Sequence, residues 1–290
     1  MLIGFPNRID EATLSGGSWA PTLPLGNLQR RLFSQVARST DTDPESTQFL
    51  IDLGRPRKLR ILSLLAHTIS LRGQIRYEAF ADEALTLSVY DSGLKNVWGS
   101  VLGANWDITQ LEWRSSNWYL GTFNSEEIEG FTSATTEVLR QEVSARFWRV
   151  SIDDPRNPAG SIDIGRVFFG EAWQPRRNRT HGGGIGYEMS TKVTRAIGGA
   201  KFFDKREPLR VIRFTLPHMA AGEAYGKAMQ LIRRANLSEE VFVIPNPSAA
   251  SLGLYQNFMG TIRQPSALEE AMWIDGGTGH NMAFEIEELR

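Results

Sequence analysis

In three short segments of this 290-residue chain, apolar side chains recur at every second residue. In a β-strand successive side chains point to opposite faces, so every second residue lies on the same side. The alternation therefore predicts three strands with one buried face each, and with them a mainly β protein built around a sandwich. The apolar positions are Phe49, Ile51 and Leu53, then Trp148, Val150 and Ile152, and finally Ile162 and Ile164.

The sequences around these strands resemble the galactose-binding-like, or discoidin-type, jelly roll. The segments that carry the resemblance read QFLIDLG at residues 48–54, ARFWRVSI at 145–152 and IDIGRVFFG at 162–170. Their order and separation match that family over roughly residues 40–173. The resemblance implies a β-sandwich there, but a fold of this kind carries many functions and assigns none.

The overall composition is that of a packed globular protein. Hydrophobic residues make up 41% and charged residues 22%, which argues against a disordered chain. The formal net charge is -1, whereas a dedicated nucleic-acid binder usually has a strongly basic domain. The chain has no cysteine, which excludes disulfides and thiolate metal sites.

The N-terminal sequence differs from a secretory signal peptide. Pro6, Arg8, Asp10 and Glu11 interrupt the first apolar run before a signal core can form. No stretch reaches the roughly 18 to 20 apolar residues of a membrane-spanning helix. We therefore expect a protein that is made in the cytosol and not exported by a signal peptide.

Turn-forming residues divide the chain into four predicted parts. Residues 1–39 are predicted to form an extended arm that binds neighbouring subunits, and residues 40–174 the sandwich. The Arg- and Gly-rich residues 175–186 are predicted to be a linker before a smaller α+β domain at 187–290. We expect deletion of residues 1–39 to weaken assembly and to leave both domains folded. The arm offers four main apolar side chains for burial on a neighbour: Phe5, Trp19, Leu23 and Leu25.

The predicted α+β domain contains a hairpin, a helix and several strands. The pair Gly198-Gly199 supplies the positive φ angles that a tight hairpin turn needs, between strands predicted at 191–196 and 200–204. Strands are also predicted at 209–216, 241–244, 257–263 and 282–289. One amphipathic helix is predicted between the first two of these. Its apolar stripe is predicted to contain Ala221, Tyr225, Ala228, Ile232 and Ala235.

A Trp-rich insertion at about residues 89–131 interrupts the sandwich pattern. So many aromatic rings in one long insertion indicate either a surface that stacks on sugars or binds a partner, or a local loop core or subunit contact. The sequence alone leaves both alternatives open. The aromatic residues of the candidate surface are Trp98, Trp106, Trp113, Trp118 and Tyr119.

The layout of the whole chain is similar to a group of bacteriophage and prophage tail proteins. The matching residues include Pro6 to Trp19, Asn27 to Gln29, Gly165 to Gly170 and Ala283 to Leu289. The C-terminal strand, helix and strand order also resembles the split-barrel unit of tail-tube and distal tail proteins. This resemblance implies a virion protein of the tail tip or baseplate, assembled in the host cytoplasm. Its sandwich would hold fibres or contact the host surface.

The tail resemblance also implies particular partners. These would be further copies of the chain in a six-fold or three-fold ring, together with tail tube, hub and fibre proteins. A host surface glycan is a further possible partner, and no nucleic-acid partner is implied. The matching motifs are framework strands and turns, so no catalytic or binding residue follows from them.

No recognisable catalytic or cofactor motif occurs in the sequence. The four histidines, His67, His181, His218 and His280, have no metal-ligand spacing, and there is no Gly-x-Ser-x-Gly elbow. We therefore predict a protein that is not an enzyme, with no cofactor, no metal and no catalytic residue. A calcium ion held by loop carboxylates is an open alternative, with Asp41, Asp43, Asp82, Asp91 and Asp153 as its ligands.

Two other functions remain alternatives to the tail component. One is a carbohydrate-binding module, either free or attached to a glycan-active enzyme. The other is a hydrolase that uses carboxylates distant in sequence, which a single sequence cannot reveal.

Overall fold

The structure is a computed structural model that describes residues 1–99, 109, 113, 115–274 and 277–290. The chain divides into two compact units. We call Pro6–Ala172 with Asn246–Asn257 the sandwich unit. Met1–Phe5, Trp173–Pro245 and Phe258–Arg290 form the C-terminal unit.

The sandwich unit consists of antiparallel strands joined by short helices. The first strand of the chain, β1 (Leu2–Asn7), ends in it. The next strands are β2 (Thr13–Ser15), β3 (Ala37–Arg38), β4 (Phe49–His67), β5 (Gln74–Phe80), β6 (Ser88–Asp91), β7 (Lys95–Asn96), β8 (Ala134–Asp153) and β9 (Asp163–Trp173). The helices are α1 (Ser116–Leu120) and α2 (Ser125–Ile128), with 3-10 turns at Ile9–Glu11 and Leu25–Gln29.

Two long strands, β4 and β8, form the centre of the sandwich. They pair with each other along most of their length, with Phe49 opposite Val150 and Ile51 opposite Trp148. The first half of β4 also pairs with β2, and its second half pairs with β9. Between Asp52 and Arg57 the register shifts, because four residues of β4 lie there opposite the single residue Arg146 of β8. This shift divides the β4–β8 pair into two segments.

The predicted alternation is confirmed by burial. Each of the eight apolar residues that recur at every second position is at most 7% exposed, and Trp148, Val150 and Ile152 are fully buried. Trp148 lies edge-on to Phe169 at 5.7 Å between ring centroids. A buried aromatic side chain removes 150–250 Å² from water, which corresponds to about 4 to 6 kcal/mol of transfer free energy. The prediction of a mainly β protein with a sandwich is thus confirmed.

Residues 1–39 are packed within the chain and do not form a separate extended arm. Residues 13–15 pair with β4, and residues 37–38 pair with β9. The side chain of Asn7 donates to the carbonyl of Val167 at 2.9 Å and accepts from the backbone of Phe169 at 3.1 Å. Ile9 and Leu28 are fully buried in the sandwich core. Local Gly, Ser and Pro content predicted an extended backbone, but it carries no information about these long-range pairings.

The C-terminal unit contains a sheet, one longer helix and a separate two-stranded ribbon. Its first segment is β1, which pairs with β14 through Leu2, Ile3 and Gly4. Along the sheet, β10, β13, β17, β15, β14 and β1 are successive neighbours, and β16 pairs with β17. The strands are β10 (Gly184–Glu188), β11 (Lys192–Arg195), β12 (Lys201–Asp204), β13 (Leu209–Met219), β14 (Glu240–Ile244), β15 (Phe258–Pro265), β16 (Glu269–Ile274) and β17 (Gly277–Glu288).

The linker predicted at residues 175–186 overlaps the first strand that follows it. Its last residues, Gly184 to Gly186, belong to β10 and pair with Arg213 to Val211 of β13. Glycine-rich sequence indicated a flexible connection, but three glycines between residues 182 and 184 also allow close backbone approach. A Cβ at Gly183 would lie 2.6 Å from the carbonyl oxygen of Arg213.

The predicted amphipathic helix spans residues 221–235, which we call α3. It consists of an α-helical turn at Ala221–Glu223, a π-helical segment at Ala224–Met229 and an α-helical end at Gln230–Ala235. Its buried residues are Ala224, Ala228, Leu231 and Ala235, whereas Tyr225 is 54% exposed. The prediction misplaced part of the stripe by one residue, since Ala224 and Leu231 are buried where Tyr225 and Ile232 were expected. Both sets of residues fit a period of 3.6, so spacing alone did not decide which of them packs on the sheet.

The core of the C-terminal unit lies between α3 and one face of the sheet. Phe214 and Phe284 stack at 5.3 Å on neighbouring strands, beside Ile212, Ile286 and Val243. The side chains of Arg210 and Glu288 are both about 1% exposed and form an ion pair. The guanidinium of Arg210 also lies over the ring of Phe258, 5.2 Å from its centroid. No helix in the described part of the chain is long and apolar enough to cross a membrane.

Candidate functional site

The Trp-rich insertion separates into a buried part and an exposed part. Trp98 is only 7% exposed, and its indole Nε1 donates to the carbonyl of Ile69 at 3.1 Å. Its ring lies edge-on to His67 at 5.5 Å and to Phe123 at 6.4 Å. Trp98 was expected on a binding surface but belongs to the core, because its indole N–H has an internal acceptor. Trp106 lies outside the described residues.

The exposed part consists of Trp113, Trp118 and Tyr119, which we call the aromatic cluster. Trp113 is 69% exposed and Tyr119 is 68% exposed, while Trp118 is half-buried. The rings of Trp113 and Trp118 lie 5.2 Å apart with an interplanar angle of 53°. Large apolar rings are normally buried, so a group of exposed ones marks a candidate contact surface.

Helix α1 holds two members of the aromatic cluster. The hydroxyl of Ser115 accepts from the backbone N–H of Trp118 at 3.4 Å, which caps the first turn. Gly121 ends the helix at a φ of 64°, and its N–H donates to the carbonyl of Asn117 at 2.9 Å. Between these two caps, Trp118 and Tyr119 project from a helix of five residues.

Hydrogen bonds within the sandwich unit fix α1 in place. The side chain of Asn117 is 5% exposed and donates to a carboxylate oxygen of Glu127 at 3.0 Å. The same carboxylate accepts from the backbone N–H of Asn124 at 2.7 Å as part of a capping box in α2. The hydroxyl of Thr122 donates to the carbonyl of Gly99 at 3.1 Å.

A segment distant in sequence packs beneath these helices. Residues 246–257 belong to the sandwich unit, where Ala250–Leu252 is a 3-10 turn and Gly253–Gln256 forms the short helix α4. The ring of Tyr255 lies 5.8 Å from Phe123 and 5.4 Å from Phe131, both in edge-to-face geometry. Part of the insertion is therefore a loop core, as one alternative predicted, while the aromatic cluster remains at the surface.

His67 and Asp154 are buried polar residues of the sandwich unit with separate hydrogen-bond partners. The Nε2 of His67 lies 2.9 Å from the hydroxyl of Thr135. Burial lowers the pKa of His67 to about 4, so the ring is neutral near pH 7. Asp154 accepts from the backbone and the hydroxyl of Ser70, both at 2.7 Å, and from Asn157 at 2.8 Å. These bonds fix the loops between strands, which is a structural role.

Two carboxylates of the sandwich sheet, Asp52 and Asp91, are paired with arginines. Asp52 accepts two hydrogen bonds from Arg146, at 2.7 and 2.8 Å, which lowers the pKa of Asp52. The guanidinium of Arg76 likewise lowers the pKa of Asp91 to about 2. A general acid needs a carboxyl whose pKa is raised, so neither residue suits that task.

The loop aspartates do not converge on one point. The carboxylate of Asp82 accepts from the hydroxyl and the backbone of Thr86 and from the backbone of Leu87, within its own turn. Asp41 accepts from the backbone of Asp43. No group of three or more His, Asp or Glu side chains that could hold a metal ion occurs among the residues that the structure describes.

The residues predicted for the assembly arm are half-buried inside their own units. The guanidinium of Arg234 lies 5.3 Å from the ring of Phe5 in the C-terminal unit. In the sandwich unit, the ring of Trp19 lies edge-on to Phe49 at 6.0 Å. Leu25 packs against the same core, and the carbonyl of Leu23 accepts from the N–H of Arg38 at 3.1 Å.

No family model and no curated protein matches this chain. Solved structures similar to part of it include a family 32 carbohydrate-binding module of Clostridium perfringens NanJ in complex with galactose. That match has 12% identity and a TM-score of 0.37, and covers 59% of this chain and 100% of the other.

Two further solved structures are similar to about the same extent. The first is CBM32-1 from a family 31 glycoside hydrolase of Clostridium perfringens, at 10% identity and a TM-score of 0.36. It covers 57% of this chain and 97% of the other. The second is a Streptococcus pneumoniae fucose binding module, at 11% identity and a TM-score of 0.35, covering 57% and 94%.

Proposed function

We propose that this protein is a non-enzymatic binding protein whose sandwich unit binds carbohydrate at the aromatic cluster. The observation that carries the proposal is the exposure of Trp113, whose ring lies 5.2 Å from that of Trp118, and of Tyr119. Trp118 and Tyr119 project from a helix that hydrogen bonds hold in place. Two rings of this size in water are costly for a soluble unit unless a ligand or partner covers them.

The chemistry of the cluster suits a sugar. One face of a pyranose ring carries C–H groups that are apolar and slightly positive, and the face of an aromatic ring is apolar and slightly negative. The two rings of Trp113 and Trp118 are tilted by 53°, so together they form an angled surface and not a flat one. Such a surface fits a puckered pyranose ring better than an extended flat ligand.

Binding to immobilised glycans tests this proposal. The purified chain is applied to an array of glycans that end in galactose, glucose, mannose, fucose or N-acetylhexosamine, and any hit is measured by calorimetry. Trp113→Ala and Tyr119→Ala should each weaken binding about tenfold or more, since central aromatic contacts are typically worth at least 1.4 kcal/mol. Tyr225→Ala is the matched control, because Tyr225 is 54% exposed but lies in the C-terminal unit.

Two outcomes would contradict carbohydrate binding at the cluster. One is the absence of any glycan hit for a folded protein. The other is a hit that Trp113→Ala and Tyr119→Ala leave unchanged, which would move the site elsewhere on the molecule.

We also propose, as a second candidate, that the chain is a structural subunit of a larger assembly such as a phage tail tip. One observation supports an assembly: the ribbon of β11 and β12 is exposed along its whole length and carries large apolar side chains. Light scattering of the purified protein and electron microscopy of lysates from phage-producing cells test this candidate. Rings, or the protein at the tip of tails, would support it, and a stable monomer absent from particles would contradict it.

A further inference from the structure

His67 contacts the chain on both sides of the Trp-rich insertion. Its ring lies edge-on to Trp98, which precedes the aromatic cluster in sequence, with 5.5 Å between the ring centroids. After the cluster, the hydroxyl of Ser133 accepts from the backbone N–H of His67 at 2.7 Å and donates to its carbonyl at 2.6 Å. The Nε2 of His67 lies 2.9 Å from the hydroxyl of Thr135. We call His67, Val97, Trp98, Ser133 and Thr135 the junction.

The hydrogen bonds of the junction assign the proton of the neutral His67 ring. The hydroxyl of Thr135 donates to the carbonyl of Val97 at 3.5 Å, and a hydroxyl has only one hydrogen to donate. It therefore accepts from the Nε2–H of His67. The other ring nitrogen, Nδ1, is buried, and no residue in the described part of the chain offers it a hydrogen-bond partner. A second proton on the ring would have to occupy this nitrogen.

The closed junction therefore disfavours a protonated His67. The residue is only 5% exposed, and a buried charge without a partner is costly. The insertion, β8 and β9 face the ring with uncharged residues, namely Trp98, Thr135 and Ile164. The carboxylate of Asp154, in the loop after β8, favours the protonated ring, but burial outweighs this attraction and lowers the pKa of His67 to about 4.

The junction also supports the segment that carries the aromatic cluster. The ring of Trp98 lies edge-on to Phe123 at 6.4 Å between ring centroids. The hydroxyl of Thr122 donates to the carbonyl of Gly99 at 3.1 Å. Thr122 and Phe123 connect α1 to α2, so both helices depend on the position of Trp98 and Gly99. Opening the junction removes these contacts from residues 115–133.

We propose that His67 is an acid-sensitive switch: protonation of its ring opens the junction and detaches residues 115–133, which carry Trp118 and Tyr119, from the sandwich core. In the opened form water solvates the charged imidazolium, and Nδ1–H finds an acceptor. The opening is a property of the chain alone. Its consequence, the release of a bound sugar in acid, rests on the carbohydrate function proposed above.

The sign of the effect follows from the two pKa values of His67. The ring has its ordinary pKa of 6.5 when water reaches it and a pKa of about 4 in the closed junction. As the pH falls, the opened form therefore binds a proton before the closed form does. The equilibrium constant for opening should rise about thirtyfold between about pH 7.5 and about pH 5.

Hydrogen exchange of the full chain, followed by mass spectrometry, measures this opening. Exchange rates are divided by the intrinsic rates at the same pH, which gives protection factors. Residues 115–133 should lose about thirtyfold in protection from about pH 7.5 to about pH 5, whereas residues 147–152 at the centre of the sandwich should keep theirs.

Two histidine variants assign the effect to one residue. His67→Gln has a side chain that does not titrate, so the protection of residues 115–133 should stay within about threefold over the same pH range. His181→Gln is the matched control, because His181 is exposed in the C-terminal unit, and it should behave like the wild type. His67→Asn replaces His67→Gln if the latter does not fold, and the wild-type profile alone tests the opening if neither does.

Three results would overturn the switch. One is constant protection of residues 115–133 in the wild type. The second is an equal loss of protection at residues 147–152, which would mean unfolding of the whole unit. The third is a His67 variant that loses protection as the wild type does. The glycan array at neutral pH tests carbohydrate binding separately, so a chain that binds no glycan leaves the result on the switch unchanged.

Discussion

The guanidinium of Arg166 is fully buried and lies 2.6 Å from the carboxylate of Asp10. The Nη1 of Arg166 also donates to the carbonyl of Leu28 at 3.2 Å. One arginine on β9 thus binds two points of the N-terminal segment. Because a buried charge is costly without its partner, this arginine ties the stability of the sandwich to residues 10–28.

Replacing Asp10 should therefore destabilise the sandwich unit. Asp10→Asn removes a negative charge that lies 2.6 Å from the buried guanidinium, and since the Asp10 side chain is 32% exposed we expect a loss of about 2 kcal/mol in unfolding free energy. Glu11→Gln is the neighbouring control, because its side chain is 75% exposed and it should cost less than about 0.5 kcal/mol. Urea titration followed by tryptophan fluorescence measures both, and equal stability of the two variants would contradict the role of Arg166.

Deleting residues 1–39 should prevent normal folding, in contrast to the expectation from the sequence. The deletion removes buried Ile9, Leu28 and Ala37 from the sandwich core and Leu2 and Ile3 from the other unit. Circular dichroism and solubility of the truncated chain measure the outcome. A truncated protein with wild-type unfolding behaviour would show that these contacts contribute little.

Replacing two tryptophans of the insertion by alanine should change the stability of the protein by very different amounts. Trp98→Ala creates a cavity and frees the carbonyl of Ile69, so we expect a loss of about 3 to 5 kcal/mol. Trp113→Ala removes a ring that is 69% exposed and should change stability by less than about 1 kcal/mol. Thermal unfolding of the two variants measures the contrast, which would disappear if both rings were equally packed.

The buried His67 should make the protein less stable in mild acid. Its folded pKa is about 4, below the ordinary 6.5, so between these values the unfolded chain binds a proton that the folded chain does not. Stability therefore falls as the pH is lowered through this window, by up to about 3 kcal/mol at its lower end. His67→Gln should flatten the pH dependence of the urea midpoint between pH 7 and 4.5, and an unchanged slope would argue against His67 as its source.

Replacing two glycines of the C-terminal unit by alanine should change the stability of the protein in opposite directions. A Cβ at Gly260 would lie 2.2 Å from the carbonyl oxygen of Glu287 on the neighbouring strand, so Gly260→Ala should cost more than about 2 kcal/mol. Nothing lies within 4 Å of a Cβ at Gly226 in α3, so Gly226→Ala should stabilise by about 0.5 to 1 kcal/mol. Melting temperatures of both variants test this pair of opposite signs.

The sequence predicted the parts of the fold that local patterns encode. Alternation at Phe49 to Leu53 and at Trp148 to Ile152 identified two strands that pair directly, and Gly198-Gly199 marked the turn of the ribbon. Pairings between distant residues have no such signal, so the strand partners of residues 2–15 were missed. Composition also could not separate Trp98 from Trp113, because the difference depends on whether an internal carbonyl is within reach of the indole N–H.

The pairing of β1 with β14 joins residues 2–4 to residues 242–244. During synthesis, β1 leaves the ribosome more than two hundred residues before its partner. It must stay unpaired, and accessible to chaperones or proteases, until β14 has also been made. The sheet of the C-terminal unit can therefore be completed only after the long segment of the sandwich unit, Pro6–Ala172, has left the ribosome.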